Sequence, residues 1–309
     1  MHKRIRAGAP SPRRSAGRST AGRTGAPLPR RSAPVISAIL GMLLILSFPV
    51  SAGSSYNRRA VPGLDTLPGP VENNIRRDIK RFLWMLRPVL HEPEELLVPV
   101  DPDRPLDRDR RPADLVELSR EHPELSLRRN DLRMTRRAAR ALARMARSAR
   151  DDGVELVISS TYRSYDEQEE LHEYWRQTLG DEQASRVSAR AGHSQHQLGT
   201  TVDFAPVGRQ FDGTAADRWL SEHAWKFGFS LSYPKDFEEI TGYSHESWHY
   251  RYIGRPAAAL EQRYFDGVQQ YMLAFLHSFR DELEQWSGVP GVVGDRLPGY
   301  GPESRIESE

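Results

Sequence analysis

Apolar residues recur along this chain at two spacings, and each change of spacing marks an element. From Val71 to Leu90, the residues Ile75, Ile79, Phe82 and Leu86 fall at helical spacing. They predict one helix closed by Pro88, because proline disfavours the helical conformation in the residue before it. Residues 91–120 are broken by prolines and read as an extended segment. Met134, Ala138, Leu142, Met145 and Ala149 then line one face of a helix predicted from Leu132 to Arg150. Its seven arginines lie mostly off that face and read as a solvated surface. After Asp152-Gly153, "VELVISSTYRS" is apolar and β-branched enough for a buried strand. "YDEQEELHEYWRQTL" returns to helical spacing through Leu171, Tyr174, Trp175 and Leu179.

Further on, "TTVDFAP" predicts a short strand ended by proline, and "AADRWLSEHAWKFGFSLS" a helix running into Gly228 and then a short strand. "SWHYRYIG" alternates as a strand does. Pro256 to Trp286 predicts one or two helices with Leu260, Tyr264, Val268, Tyr271, Phe275 and Phe279 on the apolar face. No internal repeat is visible. The expected class is α+β. One domain over 96–254 would hold a small antiparallel sheet flanked by helices. A linker and helix over 53–95 would precede it, with a helical extension over 255–287 and a disordered Gly/Pro-rich tail over 288–309 following.

Charge changes this picture at the N-terminus. Residues 1–33 carry nine Lys/Arg and no acid, and the uncharged apolar run "PVISAILGMLLILSFPVSAG" follows directly. A basic stretch, an apolar stretch and small residues before Gly53 predict a secretory signal over 1–52, or an uncleaved N-terminal anchor as the one route to membrane contact. The apolar stretch is short for a span, which needs roughly 20 residues. Although the whole chain has a net charge of +2, the part from Gly53 onward carries −7. An acidic mature chain argues against a nucleic-acid partner, since that binding sets basic patches against phosphates. The chain has no cysteine. Disulfides, thiolate metal sites and cysteine nucleophiles are thereby excluded, and any metal has to be held by histidine and carboxylate.

One stretch has such donors. "GHSQHQLGTTVDF", Gly192 to Phe204, places His196 before a turn at Gly199 and Asp203 in the strand beyond it. Downstream, "SHESWHY" offers Glu246 and His249. A catalytic zinc takes three protein ligands and keeps a fourth position for water, and His196, Asp203 and His249 can supply the three. Glu246, three residues before His249, is then placed to exchange protons with a reacting water and a leaving amine. Arg163, near the end of the strand containing "SSTYRS", is a candidate to stabilise a developing oxyanion. Alone, each of these residues reads more simply as a turn cap, a surface charge or a structural histidine.

Together they resemble a family. "SQHQLGTTVD" resembles the S-x-H-x-x-G-x-A-x-D signature of zinc D,D-peptidases related to VanY and VanX, "ESWHY" matches their E-x-W-H-Y, and "STYRSYDEQ" resembles their S-G-Y-R-S-x-x-x-Q. Order and rough spacing agree over about residues 96–254. Thr161 and Thr201 depart from the usual Gly and Ala, which touches packing rather than ligands. The resemblance implies a VanY-type D-alanyl-D-alanine carboxypeptidase with one Zn²⁺ on His196, Asp203 and His249. Glu246 would be the base, and Arg163 the partner of the carbonyl oxygen. Gln168, Ser188, Ser194 and Tyr162 would line the substrate pocket. It further implies action on peptidoglycan stem peptides, and with the N-terminal signal the expected protein is a monomer outside the cytoplasm, in the periplasm or cell envelope. An L,D-carboxypeptidase, a peptidoglycan endopeptidase or a non-catalytic binding module on the same zinc scaffold are the alternatives.

Overall fold

A computed structural model of the protein describes residues 61–287. The leader expected over 1–52 and the tail expected over 288–309 lie outside the described residues. Helix α1 (Gly69–Arg77) and helix α2 (Ile79–Leu90) lead into the structure. Sequence spacing predicted one helix here, ended by Pro88; instead the break falls at Asp78 and Pro88 lies inside α2. Contacts far along the chain explain the break. The Asp78 carboxylate accepts from Arg263 Nη2 at 3.2 Å, and the Tyr264 hydroxyl lies 3.4 Å from the Asp78 carbonyl oxygen. Pro88 is tolerated in the last turn because its missing N–H forfeits one helix bond where few remain.

Strand β1 (Leu115–Glu117), helix α3 (Leu118–Glu121), strand β2 (Ser126–Leu127) and strand β3 (Arg133–Thr135) come next. β1 and β3 form an antiparallel ribbon, so helix α4 starts at Arg136 and runs to Asp151, later than the predicted Leu132. Its apolar face, with Ala138, Leu142, Met145 and Ala149, is fully buried. Strand β4 (Val157–Ser160), helix α5 (Tyr165–Leu179) and helix α6 (Asp181–Val187) follow. After them run strand β5 (Thr201–Phe204), helix α7 (Ala215–His223), strand β6 (Phe229–Leu231), helix α8 (Glu238–Thr241) and strand β7 (His249–Tyr252). Helices α9 (Arg255–Tyr264) and α10 (Gln269–Ser287) complete the described chain.

The sheet runs β2-β4-β5-β7-β6, antiparallel except for the β2–β4 pair at its edge. The expected antiparallel sheet is therefore correct at its centre, with one parallel pair added by β2. Register matters most at the middle. Asp203 lies opposite His249 on one side and opposite Ser160 on the other. Because side chains alternate with period two, Asp203 and His249 share a face, while Val202, Phe204 and Tyr250 point to the other, into the core. The flanking helices are joined by aromatic packing: Phe82 of α2 meets Tyr264 edge-on at 5.3 Å, with Phe265 and Phe275 at 6.3 and 6.5 Å. Among the described residues, no helix is long and apolar enough to cross a membrane.

Candidate active site

Two turns and one strand pair build the site. Ser194 caps a single 3-10 turn, Gln195–Leu198, by accepting from the His196 backbone N–H, and the turn closes at Gly199 with φ 66°. Only glycine takes that conformation easily, and an added Cβ would also meet Leu115 Cδ2 at 2.9 Å. The chain thus reverses between His196 and β5 and brings His196 beside Asp203. From the other side, β7 begins at His249, directly across from Asp203. Glu246 precedes it in a loop tied by its backbone N–H to the Tyr233 carbonyl at 3.1 Å.

The three predicted ligands converge. His196 Nε2 lies 3.1 Å from Asp203 Oδ2, and His249 Nδ1 lies 3.0 Å from Asp203 Oδ1. One donor atom from each of the three residues lies within 4.8 Å of the others. All three side chains are buried. His196 Nδ1 bonds the Thr161 carbonyl at 2.6 Å, and a carbonyl can only accept, so the ring proton sits on Nδ1. Burial pushes His196 down, against the pull of Asp203, and favours the neutral ring. Its Nε2 faces the Asp203 carboxylate, an arrangement that a cation held by both would satisfy. Burial likewise pushes Asp203 up, yet the two imidazoles hold it far below its ordinary range. His249, pushed down by burial, is raised to about 9 by the carboxylates of Asp203 and Glu246. Two imidazole nitrogens and one carboxylate, aimed at one another and buried, are the donor set of a catalytic zinc site.

The remaining predicted residues surround this centre. Glu246 Oε2 lies 3.4 Å from His249 Nδ1, and its side chain is 21% exposed, so it borders the opening of the site. Arg163 sits in the turn between β4 and α5. That turn ends in a capping box, in which Ser164 and Glu167 satisfy each other's backbone N–H groups. The half-buried guanidinium donates from Nη1 to Gln168 Oε1 at 2.6 Å and from Nη2 to Ser160 Oγ at 3.1 Å. Burial pushes Arg163 below its ordinary value, and the Asp203 carboxylate opposes this. The Gln168 amide nitrogen donates to Ser188 Oγ at 3.2 Å and to the Ala189 carbonyl at 2.6 Å. Gln168 and Ser188, predicted in the pocket lining, thus form a support that aims Arg163. Tyr162 is buried beneath the Arg133 guanidinium, 5.3 Å from its ring centre.

Sequence reasoning missed three contributors. Thr161 orients His196 through a backbone carbonyl, which leaves no mark on residue type. Ser160 steadies Arg163 and opens the "STYRS" segment, where its serine at the first position of the S-G-Y-R-S signature was the available signal. Tyr233 lies tilted against His249 at 4.7 Å, in a loop that spacing alone does not connect to the site.

Residues 131–255 match the model of the VanY family, D-alanyl-D-alanine carboxypeptidase. The putative carboxypeptidase YodJ of Bacillus subtilis (strain 168) is 32% identical over 214 residues, covering 65% of this chain and 77% of that protein. The chain belongs to the VanY family. A D-alanyl-D-alanine carboxypeptidase of Enterococcus faecium is 32% identical over 165 residues, 52% of each protein, so this chain spans about half of that relative. Among solved structures, the LdcB LD-carboxypeptidase is 31% identical with a TM-score of 0.53, covering 58% of this chain and 86% of that one. The family match encloses every site residue named above. It leaves α1, α2, β1, α3, β2, α10 and all of α9 but Arg255 of this VanY-family protein outside.

Proposed function

We propose that this protein is a zinc-dependent D,D-carboxypeptidase that removes the terminal D-alanine from peptidoglycan stem peptides outside the cytoplasm. The observation that carries the reading is the convergence of His196 Nε2, Asp203 and His249 Nδ1 beside Glu246, with Arg163 held nearby. His196, Asp203 and His249 would hold one zinc ion. Bound there, zinc supplies Lewis acidity and lowers the pKa of a coordinated water to about 7. Glu246 lies where it can take a proton from the attacking water and pass it to the leaving amine. Arg163 places a fixed positive charge toward the carbonyl oxygen, whose negative charge grows as the tetrahedral centre forms. Its two hydrogen bonds to Gln168 and Ser160 set its direction before substrate arrives. The basic and apolar leader supports an extracytoplasmic site of action, where such substrates lie.

A second reading is favoured by the likeness to the LdcB LD-carboxypeptidase. The same zinc ligands, base and arginine would serve removal of a D-alanine from an L,D bond. Mass spectrometry of zinc-loaded protein with pentapeptide and tetrapeptide stems separates the two. Loss of one alanine from the pentapeptide alone is the expected result. Loss from the tetrapeptide moves the assignment to L,D, and no change in either with zinc bound defeats both.

A further inference from the structure

Behind the metal ligands, three buried polar side chains close a ring. Gln195 Nε2 donates to Gln269 Oε1 at 3.4 Å, Gln269 Nε2 donates to Ser232 Oγ at 3.4 Å, and Ser232 Oγ donates to Gln195 Oε1 at 2.7 Å. Gln195, Ser232 and Gln269 are each at most 1% exposed. Every donor in such a closed chain also accepts, so each bond polarises the next. Two long bonds in the ring are its weaker links, and both involve Gln269.

The ring joins three segments that meet nowhere else in sequence. Gln195 immediately precedes the ligand His196, and the Thr201 hydroxyl bonds the Gln195 carbonyl at 3.0 Å. Ser232 donates its backbone N–H to the carbonyl of the ligand His249 at 3.2 Å. Gln269 opens α10, beyond the family match, and the next residue, Gln270, donates to the Ser232 carbonyl at 2.8 Å. Helix α10 is itself fixed: Leu273, Phe275 and Leu276 are buried, and Arg280 Nη2 bonds the carbonyls of Leu90 and Glu92, each at 2.8 Å. The first turn of this helix therefore bonds Gln195, the neighbour of His196, and Ser232, whose N–H bonds the His249 carbonyl.

We infer that Gln269 is a positioning residue for the metal centre, and that the C-terminal helix serves zinc binding through it. The inference rests on the metal site proposed above. Zinc stoichiometry of the wild-type protein tests that site, whereas the ratio of variant to wild-type affinity tests the ring. The experiment is zinc affinity by chelator competition on the full chain, with thermal melting and steady-state kinetics alongside. Gln269→Leu keeps the side chain's bulk and removes both ring bonds; about a tenfold loss of zinc affinity is expected, at the lower end for groups supporting metal ligands. KM at saturating zinc stays within twofold of wild type. Leu283→Ala, on the same helix but away from the ring, lowers the melting temperature and leaves zinc affinity unchanged. Should Gln269→Leu not fold, Ser232→Ala breaks two ring bonds with a smaller change and carries the same expectation. Zinc affinity within twofold of wild type in the ring variant overturns the inference. So does an equal loss in Leu283→Ala, which would assign the effect to general loosening.

Discussion

Two carboxylates, Asp203 and Glu261, are both buried, and their surroundings push them in opposite directions. Burial alone raises a carboxylate's pKa, since it disfavours the charged form. Asp203, on the ligand face of the sheet, has His196 and His249 within about 3 Å and is held far below its ordinary range. Glu261, in α9, is raised to about 8 by burial, which the nearby Ser230 hydroxyl opposes. Burial is common to both regions, so burial does not mark function. What separates them is convergence: two imidazole nitrogens are aimed at the Asp203 oxygens, while burial sets Glu261. The ligand face should therefore respond to substitution in chemistry, and the helical layer in stability.

The sharpest break of that contrast is His249→Ala. Two remaining ligands make a weak site, so bound zinc and turnover should both be lost, as metal analysis and alanine release would show. Retained stoichiometric zinc would place the metal elsewhere. Glu246→Gln is next. It preserves shape and removes the proton acceptor, so kcat should fall about a hundred- to ten-thousand-fold with zinc still bound. Unchanged turnover would remove Glu246 from its role. Arg163→Met should lower kcat by about a hundred- to a thousandfold, the range for losing one oxyanion donor, with zinc content unaltered. A rise in KM at constant kcat would instead make Arg163 a substrate-binding group.

The legibility of the sequence divides along the same line. The ligands and the strands carrying them were readable, because period-two alternation around "TTVDF" and "WHYRY" and the residue types at Asp203 and His249 are local. Helix α5 was readable too, because the apolar spacing of Leu171, Tyr174, Trp175 and Leu179 is local. The break between α1 and α2 was not, since Tyr264 and Arg263 make it from more than 180 residues away. Nor was the work of the proline-broken segment after α2. There the carbonyls of Leu96 and Val98 bond the buried Arg251, and those of Asp107 and Arg110 bond Gln197. Backbone acceptors look alike in every residue, so no pattern of side chains announces them. The ring through Gln269 was hidden for a related reason. Glutamine is ordinary on a helix, and only the packing of α10 shows that this one is enclosed.

On the helical side, Phe82→Ala should cost about 3–5 kcal/mol of stability, the range for truncating a buried aromatic. Phe82 is fully buried against Tyr264, Phe265 and Phe275, none of which touches a ligand. Denaturant unfolding would show the loss, while kcat/KM of the folded fraction stays within twofold. A larger fall in kcat/KM would mean that packing of Phe82 on Phe275 of α10 reaches the site.

The most direct test of the opening contrast is at Glu261. Its folded pKa of about 8 lies above the ordinary 4.5. Between those values the folded protein keeps a proton that the unfolded chain has lost. Stability from this group is then fully present below pH 4.5 and declines as pH rises through about 8, by at most about 1.4 kcal/mol per pH unit for one proton. Glu261→Gln mimics the protonated form and cannot ionise, so it should match wild type near pH 5 and exceed it at pH 8. Unfolding curves of the two proteins across pH 5–9 give the comparison. Parallel curves would mean that Glu261 stays charged, and that the helical layer hides a cation beside it as the ligand face does beside Asp203.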